Sequence, residues 1–92
     1  MALQIRHDAA TRQFWAEPLP GQRCELDYLL RPGQVVFHHT GVPRALEGRG
    51  LAAQLVAHGL AWARAQGLKV VPSCSYVDAF MRRHPEWQDL RA

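Results

Sequence analysis

Three places in the chain carry residues whose types and spacing suit them to chemistry: the string Val42-Pro43-Arg44-Ala45-Leu46-Glu47-Gly48-Arg49-Gly50-Leu51-Ala52, the pair His38-His39, and the isolated Cys74. Glycines let backbone amides come close to a ligand. The first turn of a helix then points unpaired N–H groups at it, together with the positive end of the helix dipole. A glycine-rich turn running onto a helix is therefore a cradle for a phosphate or similar anion. Histidine, whose ordinary pKa is about 6.5, is the side chain best suited to take a proton from an amine at neutral pH. A cysteine near a helix N-terminus has its thiolate favoured and can accept an acyl group.

These side chains need elements to hold them. Gln34-Val35-Val36-Phe37-His38-His39-Thr40 is rich in β-branched and aromatic residues and predicts a strand over 34–42. After Gly50, apolar or small residues recur at Leu51, Ala52, Leu55, Val56, Gly59, Leu60 and Ala63, which is helical spacing; Gly67 suits a left-handed cap, so the helix runs from about Gly50 to Gln66. The glycine string thus sits between strand and helix. Residues 11–16 and 23–30 read as two earlier strands parted by Glu17-Pro18-Leu19-Pro20-Gly21. In the second of them Cys24, Leu26, Tyr28 and Leu30 share one face, expected to be buried, and Arg23, Glu25 and Asp27 share the other. Arg31-Pro32-Gly33 turns the chain into an antiparallel neighbour. Leu68-Lys69-Val70-Val71 forms a short strand, parallel to the one before the helix. Ser73-Cys74-Ser75 opens a second helix reaching about His84 and closed by Pro85, with Ser75 and Asp78 at capping-box spacing or Ser73 as the cap. The fold class is α+β: an N-terminal antiparallel meander, a helix, a parallel strand and a C-terminal helix around one mixed sheet.

With 92 residues, 48% hydrophobic and 21% charged, the chain reads as one globular domain spanning 1–92, monomeric or in a small homo-oligomer. The formal charge is +3, and Lys69 is the only lysine, so arginine carries the positive charge. Arginine's fork of donors matches phosphate oxygens, which makes phosphorylated ligands reasonable partners and keeps nucleic acid in view. The arginines are scattered from Arg6 to Arg91 without a like-charge run, so most belong to a solvated surface. Met1 to Asp8 lacks the apolar core of a secretory signal and no segment could span a bilayer, so a cytoplasmic location is expected. Cys24 and Cys74 are far apart and read as free thiols. His38-His39, His58 and His84 match no common ligand spacing, so no metal is expected.

The order of elements and the segment Glu47-Gly48-Arg49-Gly50-Leu51-Ala52 resemble the acetyl-CoA-binding motif of the GNAT superfamily of N-acetyltransferases, an Arg or Gln, two residues, Gly, one residue, then Gly or Ala. Gly50 and Ala52 match, and Glu47 stands at the Arg/Gln position. The wider string is similar to a small single-domain subfamily called YidJ-like: His39-Thr40-Gly41-Val42-Pro43, then Pro72-Ser73-Cys74-Ser75-Tyr76-Val77 and His84-Pro85-Glu86-Trp87. This resemblance implies acetyl-CoA as cofactor, held by Val42, Arg44, Gly48, Arg49, Gly50, Leu51 and Ala52, with backbone amides doing most of the binding. It implies an amine acceptor, a small molecule or a protein lysine. Many superfamily members place helices between the first two strands and a Tyr on the last helix. This chain has only Pro18 to Gln22 in the former place and Phe80 and Met81 in the latter, with Tyr76 the one phenol nearby.

A lysine amine, with a pKa of about 10.4, is mostly protonated at neutral pH, so a base helps its attack. Alternation along a strand puts His38 and His39 on opposite faces, and the resemblance favours His39. His39 and Cys74 are the candidate catalytic residues, with direct transfer in a ternary complex expected and Cys74 lining the site. Two other classes remain open: a non-catalytic acyl-CoA-binding module and a basic nucleic-acid-binding domain.

Overall fold

The computed structural model describes residues 3–92; Met1 and Ala2, the start of the segment read for a secretory signal, lie outside the described residues. The elements are β1 (Arg6–Asp8), β2 (Gln13–Leu19), β3 (Gln22–Arg31), β4 (Gln34–Gly41), α1 (Leu51–Ala65), β5 (Lys69–Pro72) and α2 (Ser75–Arg83), with short 3-10 turns at Arg44–Leu46 and Pro85–Leu90. They form one five-stranded sheet in the order β1-β2-β3-β4-β5. The pairings are antiparallel up to β4, and β5 joins β4 in parallel, as the crossover through α1 requires. Among the described residues no helix is long and apolar enough to cross a membrane.

The helix α1 lies on one face of the sheet, here the inner face. Leu51, Leu55, Val56, Gly59, Leu60 and Ala63 are its buried positions, and they meet Phe14, Cys24, Leu26, Tyr28, Val35, Phe37 and Val70 in one core cluster. Burying each leucine side chain stabilises the fold by about 1.5–3 kcal/mol. Gly59 marks the closest approach: a Cβ there would lie 2.8 Å from Leu26 Cδ2 and 3.1 Å from Phe37 Cζ. That contact sets how α1, and with it the glycine string at its N-terminus, is placed over β3 and β4.

Four sequence expectations change. The strand expected to start at residue 11 starts at Gln13, because Asp8 Oδ1 accepts from the N–H groups of Ala10 and Thr11 and Arg12 takes a left-handed φ of 57°, closing a turn after the unanticipated β1. Leu30 is 46% exposed rather than buried, since the β2–β3 pairing begins at Gln13 opposite Asp27 and leaves the β3–β4 hairpin tip without that neighbour. The helix α2 has Cys74 as its N-cap with no side-chain cap bond, so neither Ser75 with Asp78 nor Ser73 caps it. Asp78 is instead held by Arg91 at 2.8 Å and Arg82 at 3.1 Å.

The fourth is a β-bulge in β4. The β3–β4 register runs Asp27 opposite His39 and then Tyr28 opposite Phe37, skipping His38. Simple alternation would put Phe37 and His39 on one face. The bulge puts Phe37 on the inner face with Tyr28 and His39 on the outer face with Asp27. At the same level β4 and β5 part: their last pair is Phe37 with Pro72, followed by the Cys74 N–H donating to Phe37 O at 2.9 Å. Among the described residues, the β5-side edge of β4 beyond Phe37 therefore has no strand beside it, while β3 still pairs on the other side.

Candidate functional site

The glycine string forms the expected strand-to-helix turn. Gly48 and Gly50 have φ of +79° and +73°, left-handed values that favour glycine, and Gly50 is the N-cap of α1. A Cβ on either would meet nothing within 4 Å, so the space in front of them is open. The Gln54 N–H donates to Gly50 O at 3.2 Å as the first helical bond, and helix geometry leaves the N–H groups of Leu51, Ala52 and Ala53 without intrahelical acceptors. The first turn, at Leu51 and Ala52, borders a cavity of about 300 Å³ lined by Val42, Gly48, Gly50, Leu51 and Ala52 of the expected set. Leu46, Glu47 and Tyr76 complete the lining. Leu51 is 1% exposed, so its side chain belongs to the core while its backbone edges the cavity. Arg44 and Arg49 are exposed and stand outside the lining.

A second cavity of about 250 Å³ adjoins between the two helices, lined by Ala53, Tyr76, Ala79, Phe80, Arg83 and His84. Tyr76 belongs to both cavities. Burial pushes its phenol up from the ordinary value, against a smaller opposing effect of Arg83, so it keeps its proton at neutral pH.

Cys74 Sγ lies 3.3 Å from Thr40 Oγ1, and Thr40 is opposite Leu26 on the inner-face register. His39, one residue earlier, is on the outer face, where its Nε2 meets Glu25 Oε1 at 3.3 Å. The structure therefore sets the two candidate catalytic residues at one level of the sheet, flanking the end of β4 from opposite faces, each with its own partner. Glu25 was passed over in the sequence because its contact with His39 crosses two strands and depends on their register, which residue spacing does not reveal. Its signal was the outer-face alternation of Arg23, Glu25 and Asp27. The ligand atoms of Glu25, Asp27 and His39 lie within 4.8 Å of one another, a grouping that only cross-strand register creates. Their oxygens already accept hydrogen bonds: the Gln13 amide donates to Glu25 Oε2 at 3.2 Å and to Asp27 Oδ1 at 2.8 Å. A groove of about 460 Å³ lies farther along this outer face, over Trp15 and beside Arg6, Glu17 and Pro18.

A mixed sheet that parts between β4 and β5, with a left-handed glycine turn feeding the N-terminus of the helix between them, defines the N-acetyltransferase class of fold. The chain belongs to the GCN5-related N-acetyl-transferase family, whose profile matches residues 13–90. It is similar to Protein NATD1 of Gallus gallus, 33% identical over 86 residues covering 90% of this chain and 77% of that one. Protein NATD1 of Homo sapiens is 31% identical over 86 residues, covering 90% and 75%. The NMR solution structure of a GCN5-like protein from Staphylococcus aureus superposes with a TM-score of 0.77 at 24% identity, covering 98% of this chain and 88% of the other, and shares the fold.

Proposed function

We propose that the chain is an acetyl-CoA-dependent N-acetyltransferase that passes the acetyl group directly to an amine, a small molecule or a protein lysine. The observation that carries this reading is the left-handed Gly48-Arg49-Gly50 turn opening the first turn of α1 onto a 300 Å³ cavity. Its amides suit a pyrophosphate. Glu47 brings a carboxylate to the rim in place of a cation, so the backbone must supply the attraction. The unpaired edge of β4 from His38 to Gly41 offers backbone N–H and C=O groups to the amides of a pantetheine arm. Bound acetyl-CoA supplies the acyl group as an activated thioester. His39 takes the proton of the attacking amine, and the protonated Tyr76 phenol, on the wall of the same cavity, gives one to the departing thiolate. Cys74, packed on Thr40, lines the opening as a bystander.

One observation favours a second reading, a non-catalytic acyl-CoA-binding module: with β1 found ahead of β2, the first two strands are joined by the short turn 9–12 and β2 and β3 by the Pro20–Gly21 turn, and neither connection carries the helices that would build an acceptor site. Release of free CoA across a broad amine panel separates the two. Tight acetyl-CoA binding without turnover would favour the module. An acetyl group trapped on Cys74, with turnover lost in Cys74→Ser, would refute direct transfer. The nucleic-acid reading gains little, because Arg64, Arg82 and Arg91 are engaged by carboxylates and Arg23 lies over Trp15 at 3.9 Å.

A further inference from the structure

The outer-face contact between His39 and Glu25 does more than tie two strands together. At side-chain exposures of 50% and 34% the pair adds little to stability. Its geometry is nevertheless closely specified. An ionised carboxylate only accepts hydrogen bonds, so the His39 nitrogen that faces Glu25 at 3.3 Å, Nε2, must carry a proton. Glu25 is in turn fixed from behind. Arginine only donates, so Arg23 on Gln13 Oε1 turns the Gln13 NH₂ toward Glu25 and Asp27. Gly41, opposite Glu25 in the register, leaves room for the contact: a Cβ there would lie 3.1 Å from His39 Nε2 and 3.2 Å from Glu25 Oε1. The bulge at His38 is what brings His39 to this face at all.

We propose that Glu25 is a positioning residue that holds the His39 imidazole with its proton on Nε2, leaving Nδ1 as the atom that accepts the proton of the acceptor amine. This rests on the reading of His39 as the base. Nδ1 takes the proton released as the amine nitrogen bonds to the acyl carbon and the C–S bond breaks, while the thiolate takes the Tyr76 proton; solvent then resets both groups. The acceptor approaches over the outer face, where the 460 Å³ groove leads to Trp15, directly opposite Glu25 in the β2–β3 register.

Long-range proton–nitrogen correlations of the His39 ring, in the neutral form, report which nitrogen is protonated; acetyl transfer is measured on the same samples. Wild type should show the Nε2–H ring. Glu25→Lys replaces an acceptor by a donor and should invert the ring to Nδ1–H, lowering kcat about tenfold or more with the KM for acetyl-CoA unchanged. Glu25→Gln keeps an acceptor oxygen and should retain most of both the tautomer and the rate. An unchanged ring in Glu25→Lys, or an inverted ring with full kcat, overturns the proposal. A wild-type chain that shows the Nε2–H ring yet acetylates no amine would refute His39 as the base and leave its orientation by Glu25 standing.

Discussion

Replacing Gly50 by alanine tests the cradle against the alternative that its glycines serve only the turn. Gly50 has φ +73°, and an L-residue forced there costs about 1–2 kcal/mol. Gly67, just past the C-terminal end of α1, has φ +70° and likewise nothing within 4 Å of a built Cβ, so Gly67→Ala carries the same backbone cost far from the cavity. For 92 residues the unfolding entropy is about 0.2 kcal/mol/K, so each variant should melt roughly 5–10 °C below wild type. The ligand response should separate them. Acetyl-CoA at a hundredfold excess over its Kd stabilises by about 2.7 kcal/mol, a rise of roughly 14 °C. The Gly50→Ala methyl occupies the open space where the pyrophosphate would lie. A tenfold loss of affinity would halve that rise, to about 7 °C, while Gly67→Ala keeps it whole. Thermal melts with and without acetyl-CoA read both numbers. An equal ligand-induced rise in Gly50→Ala and Gly67→Ala would refute the assignment of the Gly48–Gly50 turn as the anion site.

Gly59→Ala should destabilise by up to about 2 kcal/mol in chemical denaturation, the overpacking against Leu26 and Phe37 offsetting a helix-propensity gain of about 1 kcal/mol. Tyr76→Phe should lower kcat about tenfold or more with KM for acetyl-CoA unchanged; a full rate would mean that solvent protonates the leaving thiolate. His7 is stacked on Phe14 at 4.1 Å and lies 2.6 Å from the Tyr28 hydroxyl. Burial, then His58, hold its imidazole below the ordinary value, with Asp8 opposing. The folded state therefore favours neutral His7. That contribution is complete above about pH 6.5 and is lost as pH falls through the lower folded-state value. The melting temperature should drop between pH 7 and 5, and less steeply in His7→Phe, which keeps the stack and has no titrating nitrogen; identical slopes would refute this.

The α1 boundaries and the glycine turn were legible because one face of a helix and a break in periodicity leave a direct mark on composition, from Leu51 through Ala63. Cys24 and Leu26 were readable as core for the same reason, being alternate residues of a half-buried strand. The three-residue β1 left no such mark, with no buried position in Arg6–Asp8. The bulge at His38 is also invisible to alternation, because it is set by the register of β3 against β4. The Glu25–His39 contact depends on that register, and it joins residues 14 apart in sequence. Tyr76 was visible in the sequence as the one phenol near the last helix, but its place on both cavities was not, since only the packing of α2 beside the start of α1 brings its ring there.

The parting of β4 from β5 past Phe37 has a kinetic consequence. A slot cut through a sheet has two mouths. The glycine turn and Tyr76 stand at one, and His39 with Glu25 stands at the other. Under the proposed function, an acyl donor entering at one mouth and an amine at the other would not queue, so either could bind first and neither would have to leave to admit the other.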